Sequence, residues 1–325
     1  MSAGRSAGRS AGRSLGLTVL RWFDSWAGAD ELEAGPQKRV DWLRVFPLLV
    51  AHLACLGGLF VGWSPVALLV ALALFLLRMF FLTAFYHRYF SHASFKASRR
   101  VQFAMGVAGA TCMERGPLWW AAHHRKHHAH SDELADVHSP RQHGFWWSHV
   151  GWLTSRANFP TDLKVVKDLA RFPELRFLDR FDTLVPFVMA AMLLGFGALL
   201  ERVAPSLGTS GPQMLVWGFF ISTVVLLHVT FTINSLAHGP GNRAYETRDD
   251  SRNSLPLALL TFGEGWHNNH HRFPSSARMG LQPGEIDISF AGLRIMERLG
   301  LISDLVSAPA SAVGTRSPLP RESGR

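Results

Sequence analysis

Apolar residues fall in four long blocks, at 45–63, 65–86, 183–200 and 214–233, separated by strongly polar stretches. A helix needs roughly 20 mainly apolar residues to cross the hydrocarbon core of a bilayer, so each block predicts a membrane span. The break at Ser64 and Pro65 joins the first two spans, and residues 201–213 join the last two. That spacing predicts two hairpins. The connections at their tips hold one basic residue, Arg202, while nearly all other Lys and Arg lie before, between or after the hairpins. By the positive-inside rule both termini and the long middle segment face the cytoplasm. Residues 87–182 and 236–304 are too polar to span and predict a helical cap on that side. Residues 101–112 are apolar but too short to cross, and are expected at the interface or under the cap. The predicted fold class is therefore all-α and integral to the membrane, multi-pass, with a membrane domain over 41–304.

Composition supports this reading: 48% of residues are hydrophobic, with Phe 23 and Trp 11 against Tyr 3. The formal charge of +9 requires an acidic counterpart: anionic lipid headgroups, a phosphate-bearing substrate or an acidic protein. Nucleic acid is disfavoured, because the apolar blocks place the chain in a bilayer. Residues 1–14 repeat Ser-Ala-Gly-Arg and are expected to form a disordered basic tail without the apolar core of a secretion signal. In 15–40, Leu15, Leu17, Leu20, Trp22, Phe23 and Trp26 suggest an amphipathic helix on the membrane surface. Residues 305–325, rich in Ser, Pro, Gly and Arg, are expected to be a second disordered tail. Cys55 and Cys112 form no metal motif and read as small buried hydrophobes.

Of 16 histidines, most cluster in three groups. His87 and His92 end the second span, His123-His124-Arg125-Lys126-His127-His128 lies in the middle segment, and His267-Asn268-Asn269-His270-His271 lies near the C-terminus. On a helix, positions i, i+3 and i+4 share a face, so His124, His127 and His128 are expected together, as are His267, His270 and His271. His123 and His130 point elsewhere. His87 and His92 are five apart, about 140° off on a straight α-helix, and meet one centre only if the helix ends or unwinds, or if they grip it from different sides. Asn234 and His238, four apart, leave the last span at the same membrane face. Nine histidines exceed the capacity of one metal but suit two, and imidazole takes iron, copper, nickel or zinc. A water-mediated contact is available to Asn234. Single histidines carry plainer readings: His52 and His228 as hydrogen bonds between spans, and His138, His143 and His149 as supports of the ligands or surface residues.

At these residues the chain closely resembles the membrane fatty acyl desaturases, specifically the stearoyl-CoA Δ9-desaturase branch. The match covers the three histidine boxes, the stretch Gly144-Phe145-Trp146-Trp147-Ser148-His149-Val150-Gly151-Trp152 and the stretch Asn234-Ser235-Leu236-Ala237-His238. It runs from about residue 41 to 301 in the same order, and Trp266 and Asn269 look bacterial. The resemblance implies two iron ions bound by His87, His92, His124, His127, His128, His238, His267, His270 and His271. It also implies O₂ as co-substrate, an acyl-CoA substrate with an acyl lipid as the alternative, and two electrons from an external donor such as cytochrome b5 or ferredoxin with its reductase.

A mid-chain methylene has neither an acidic proton nor a leaving group, so a metal–oxygen oxidant must attack it. Asp132, Asp136 and Glu264 are candidate acceptors for the second nitrogen of ligand imidazoles, or ordinary surface acids. On the face of the second span above His87 lie Thr83 and Met79, which either close an acyl tunnel and set chain length or pack in the core. Arg78, inside an apolar block, either snorkels or pairs within the bundle. Two other functions remain open at this stage: hydroxylation of an acyl or alkyl chain on the same metals, and, less favoured, membrane metal transport.

Overall fold

The computed structural model describes residues 19–28 and 38–313. Among them, four helices are long and apolar enough to cross a membrane: Trp42–Val61, Pro65–Ser91, Leu184–Val203 and Gly211–Leu236. These are the four expected blocks, with their ends shifted by a few residues. The first begins at Asp41, whose carboxylate accepts from the Arg44 backbone N–H, and stops at Gly62 with φ +68°. The second begins at Ser64, whose hydroxyl oxygen accepts from Ala67 N at 3.0 Å, with Pro65 in the first turn, where its missing N–H costs nothing. Such a cap stabilises a helix by about 1 kcal/mol. At the fourth span, Ser210 and Gln213 form a reciprocal capping box.

The spans differ in how they are covered. Half of the fourth span's most apolar window is buried inside the protein, against 11% for the third. The fourth is thus the central post of the bundle, and the third is a lipid-facing flank carrying Phe187 and Met192 outward. Arg78 resolves as a bundle residue. Fully buried, it donates to Ser222 Oγ at 2.5 Å and Thr223 Oγ1 at 2.7 Å on the fourth span. His52 and His228 also join two spans, with Nε2 atoms 3.0 Å apart.

The apolar stretch after the second span becomes the helix Arg99–Ala110, packed on that span's end; a Cβ on Gly109 would come within 2.1 Å of the Tyr86 ring. The same core collects Met79, Phe85, Leu118, Leu175 and Leu226. Cys112 is buried as expected, whereas Cys55 is only half-buried. Part of the expected surface helix is seen: Trp22 stacks on Phe46 at 5.3 Å and donates to the Leu43 carbonyl. The rest of it, residues 15–18 and 29–37, lies outside the described residues, as do the expected basic tail at 1–14 and residues 314–325.

Residues 305–313 differ from the expected disordered tail. Lys96–Ala97 pairs antiparallel with Ile302–Ser303, and Val306 N then donates to Ser94 O while Tyr245 Oη donates to Ala312 O. Small residues let this strap lie flat: Ala308 and Ala312 are buried against Leu281. Composition alone had suggested disorder because it counts Ser and Pro but not the backbone partners waiting for them.

Candidate metal centre

The first two ligands depend on a local change of helix type. From Phe81 to Ser91 the second span widens into a π-helix, whose hydrogen bonds close over five residues. Residues five apart then stack, and the rings of His87 and His92 come to 5.0 Å. Of the alternatives open from sequence, the helix unwinds. Arg125, one residue after His124, holds the widened end in place by donating to the carbonyls of Phe90 and Ser91 at 2.9 Å each. Asp168 takes its other face.

The middle box lies on the helix Pro117–His130. Its N-terminus is fixed by Asp179, which accepts from Trp119 N at 2.7 Å and sits so close to Gly116 that any side chain there would collide. The last box lies on the short helix His267–Arg272. Two asparagines inside it, both buried, anchor it: Asn268 accepts from the N–H groups of Ala244 and Tyr245, and Asn269 donates to the Met279 carbonyl. Asn253 accepts from both of their backbone N–H groups.

The boxes do not each serve one centre. His87, His92, His124, His128 and His270 form one cluster, and His127, His238, His267 and His271 form another. Each His-x-x-His-His box is split. Positions i and i+4 stay together while i+3, on the other side of i, crosses to the neighbouring cluster. The expectation of a shared face was right to one helix face and too coarse to separate two centres on it.

Within the clusters, Nε2 atoms face one another: His87–His270 at 3.0 Å, His92–His124 at 2.8 Å, His124–His128 at 3.0 Å, His128–His270 at 2.8 Å and His238–His267 at 3.0 Å. Imidazoles bound at about 2.1 Å and right angles to a common ion would be about 3 Å apart. These are not ordinary hydrogen bonds throughout. His238 Nδ1 donates to Asp132 at 2.8 Å, His127 Nδ1 to Asp136 at 2.9 Å and His271 Nδ1 to Asp249 at 2.7 Å, and His87 Nδ1 contacts Glu264. A carboxylate can only accept, so in the neutral rings the proton sits on Nδ1 and Nε2 presents a bare lone pair. His271 Nε2 is buried without any hydrogen bond. Three such lone pairs gather in the cluster of His127, His238 and His271, an arrangement that fits a cation.

Electrostatics point the same way. Burial first, then the neighbouring imidazoles, hold His92, His124, His128, His267 and His270 well below the usual histidine range. They are therefore neutral and available as ligands at physiological pH. Burial raises the Asp132 carboxyl, but the His238 hydrogen bond and charge outweigh it and bring it down to about 2. Asp136 and Asp249 are likewise held low by their histidines against the opposing effect of burial.

Of the residues singled out in the sequence, Asp132, Asp136 and Glu264 are all imidazole partners. Asp249 was missed, since its distance from the box in sequence gives no periodic signal. His123 bonds the Trp119 carbonyl, and exposed His130 pairs with Glu133. A cavity borders the first cluster, lined by His87 and His124 together with Leu82, Leu227, Phe231 and Trp120. Asn234 and Thr83 line it too. Met79 does not. It is fully buried in the hydrophobic core, and its backbone carbonyl accepts from the Thr83 hydroxyl at 2.9 Å. Glu114, Thr230 and Trp120 form a hydrogen-bonded cluster in the cavity wall that the sequence did not reveal.

Comparison with known proteins now decides the family. Residues 61–279 match the model of the family described as fatty acid desaturase. The chain belongs to it. It is 34% identical over 289 residues to the sn-2 palmitoyl-lipid 9-desaturase of Nostoc sp. (strain 36), spanning 87% of this chain and 96% of that one. Identity to the Delta-9 acyl-lipid desaturase 1 of Arabidopsis thaliana is 36% over 294 residues, covering 85% and 90%. An acyl-CoA 5-desaturase of Anemone leveillei is 32% identical over 296 residues, with 87% of each chain covered. The protein is thus a fatty acyl desaturase, an oxidoreductase of lipid metabolism, and its histidine clusters could hold metal ions.

Proposed function

We propose that this desaturase introduces a double bond at Δ9 of a saturated acyl chain, using two irons held by the nine clustered histidines. The observation that carries this reading is the cavity, which brings an apolar wall up against His87 and His124. When bound, the irons supply the O₂-derived oxidant that an unactivated methylene requires. Two hydrogens leave the chain, and with two electrons and two protons from outside O₂ leaves as water. Every other task falls to the protein's own side chains.

Leu48, Leu82, Leu227 and Phe231 give the chain an apolar channel and keep bulk water from the reacting carbons. His87 and His124 fix which carbons lie beside the metals. Asn234, on the same wall, would contribute a water-mediated contact to the metal site. Thr83 and Met79 together close the channel and set chain length. Lipid-linked chains are the favoured substrate, because the Nostoc and Arabidopsis relatives are named for them; acyl-CoA is the alternative, as in the Anemone name. Both termini and the metal centre face the cytoplasm, where cytochrome b5, ferredoxin or a similar donor brings electrons. The substrate reaches the cavity from the surrounding membrane lipid.

The test is expression in a host lacking desaturases, with fatty acids analysed by gas chromatography–mass spectrometry and double bonds located by derivatisation. We expect new Δ9 monounsaturated chains that require O₂ and disappear in His270→Ala. Hydroxylated chains in their place would overturn desaturation in favour of the hydroxylase chemistry.

A further inference from the structure

Glu114 is a half-buried carboxyl in the wall of the acyl cavity and takes no part in either histidine cluster. Its Oε2 accepts from Trp120 Nε1 at 3.1 Å, and its Oε1 contacts the Thr230 hydroxyl. Thr230 Oγ1 also lies 2.9 Å from the Leu227 carbonyl and 3.1 Å from that of Leu226. A threonine hydroxyl has one hydrogen. Shared between Glu114 and the carbonyls of its own helix, that hydrogen gives the carboxyl only part of one hydrogen bond, so its partners solvate an ionised form weakly.

The surroundings offer no charge to stabilise an ionised form. On its own loop, Arg115 is turned to Asp182 at 2.7 Å, and Cys112 is a buried thiol. The second span presents the Tyr86 hydroxyl, spent on the Arg115 carbonyl, and His87, which faces Glu264. From the helix Pro117–His130, His123 and His124 line the cavity, the first bonded to a backbone carbonyl and the second turned into the metal cluster. The first span contributes Arg44, committed to the carbonyls of Ser25 and Ala27. His138 lines the cavity beside Asp136, 3.6 Å away. The fourth span adds only uncharged residues to the wall.

We propose that Glu114 must carry a proton for the cavity to admit an acyl chain, which makes it a determinant of substrate entry. An empty cavity can hydrate a carboxylate, whereas a bound hydrocarbon strips that water away and leaves the charge against methylenes. Burial pushes the Glu114 carboxyl up to about 7, the hydrogen bonds from Thr230 and Trp120 opposing it. The group therefore changes state across the range in which a cell works. Raising the pH through this value favours the empty cavity, and lowering it favours the filled one. The inference rests on the cavity being the acyl site.

The experiment uses the full chain in lipid nanodiscs with a spin-labelled stearoyl ester, reading the immobilised fraction by electron paramagnetic resonance at a series of pH values. For the unaltered protein, affinity should weaken about tenfold from about pH 6 to pH 8, as one proton is lost near neutrality. Glu114→Gln keeps the shape and cannot ionise, so it should bind equally well throughout, and Glu114→Leu should do the same. Histidine titrations are common to all three proteins and cancel. Parallel pH profiles in the unaltered protein and Glu114→Gln would overturn the proposal while leaving desaturation intact. Failure of every form to bind or desaturate at any pH would remove the acyl reading, and the proposal with it.

Discussion

The two histidine clusters are built from the same boxes yet are supported differently. The cluster of His87, His92, His124, His128 and His270 has one carboxylate behind it, Glu264 on His87. The cluster of His127, His238, His267 and His271 has three, Asp136, Asp132 and Asp249, on all but His267. A carboxylate on Nδ1 fixes the tautomer, orients the ring and makes the other nitrogen a stronger donor. The second centre is thus braced and electron-rich. The first borders the cavity we propose for the acyl chain, and has more imidazoles but fewer braces. We read this as a division between a centre that holds its metal firmly and one whose surroundings are left free for substrate.

The largest effect that can break this comparison comes from removing the braces. Partners of this kind are worth about 10–100-fold in metal affinity. Asp132→Asn with Asp249→Asn should lower retention at the second centre by at least that factor, while Glu264→Gln should cost less. The check is iron per chain after dialysis against graded chelator, with thermal melts to confirm folding. If Glu264→Gln released metal more readily than the double variant, the division would be reversed.

A second test uses acid. His271 is lowered to about 4, burial outweighing the raising effect of Asp249. In the metal-free protein the folded state therefore keeps this imidazole neutral below about pH 6.5, where the unfolded chain takes up a proton. The resulting stability is present above about 6.5 and falls as pH drops towards 4. Metal competes with the same protons, so iron retention should be level down to about pH 5 and then decline. An iron-release curve centred near pH 6.5 would mean that the ligands are not shielded as the structure shows.

These tests depend on details that the sequence carries unevenly. The spans were legible because a bilayer imposes a length on any apolar helix, and the His52–His228 contact because polar groups in a span must find one another. The nine histidines were legible from spacing and from resemblance together. Their partition was not, since 3.6-residue periodicity assigns a face and says nothing of two ions side by side on it. The union of His87 with His92 needed a π-helix, which no spacing rule announces. Asp249 and Glu114 were invisible for a different reason: each meets its partner across tertiary contacts, far from any repeated pattern. Asn268 and Asn269, to which spacing assigned no structural part, are the struts of a six-residue helix that carries three of the clustered histidines.

The smallest expected effect lies at the closed end of the cavity, on the side of the less braced centre. Thr83 lines the wall directly, and its hydroxyl also meets Ser289 Oγ at 2.5 Å. Met79 does not line it and is fully buried in the core. On the proposal that Thr83 and Met79 close the channel, shortening Met79 to Ala frees buried volume at its end and admits a longer chain. A methylene in direct contact with an apolar pocket is worth roughly tenfold or more in selectivity, and a residue outside the lining should give less. We therefore expect Met79→Ala to raise the ratio of longer to shorter monounsaturated products severalfold, with a lower melting temperature from the buried void. Thr83→Val, which keeps volume and loses the hydroxyl, should leave that ratio nearly unchanged. A Met79→Ala product profile identical to the parent, in protein that is destabilised, would assign Met79 to core packing and place the end of the channel elsewhere. Movement in the Thr83→Val profile alone would instead show that the Thr83–Ser289 hydrogen bond, rather than bulk, closes it.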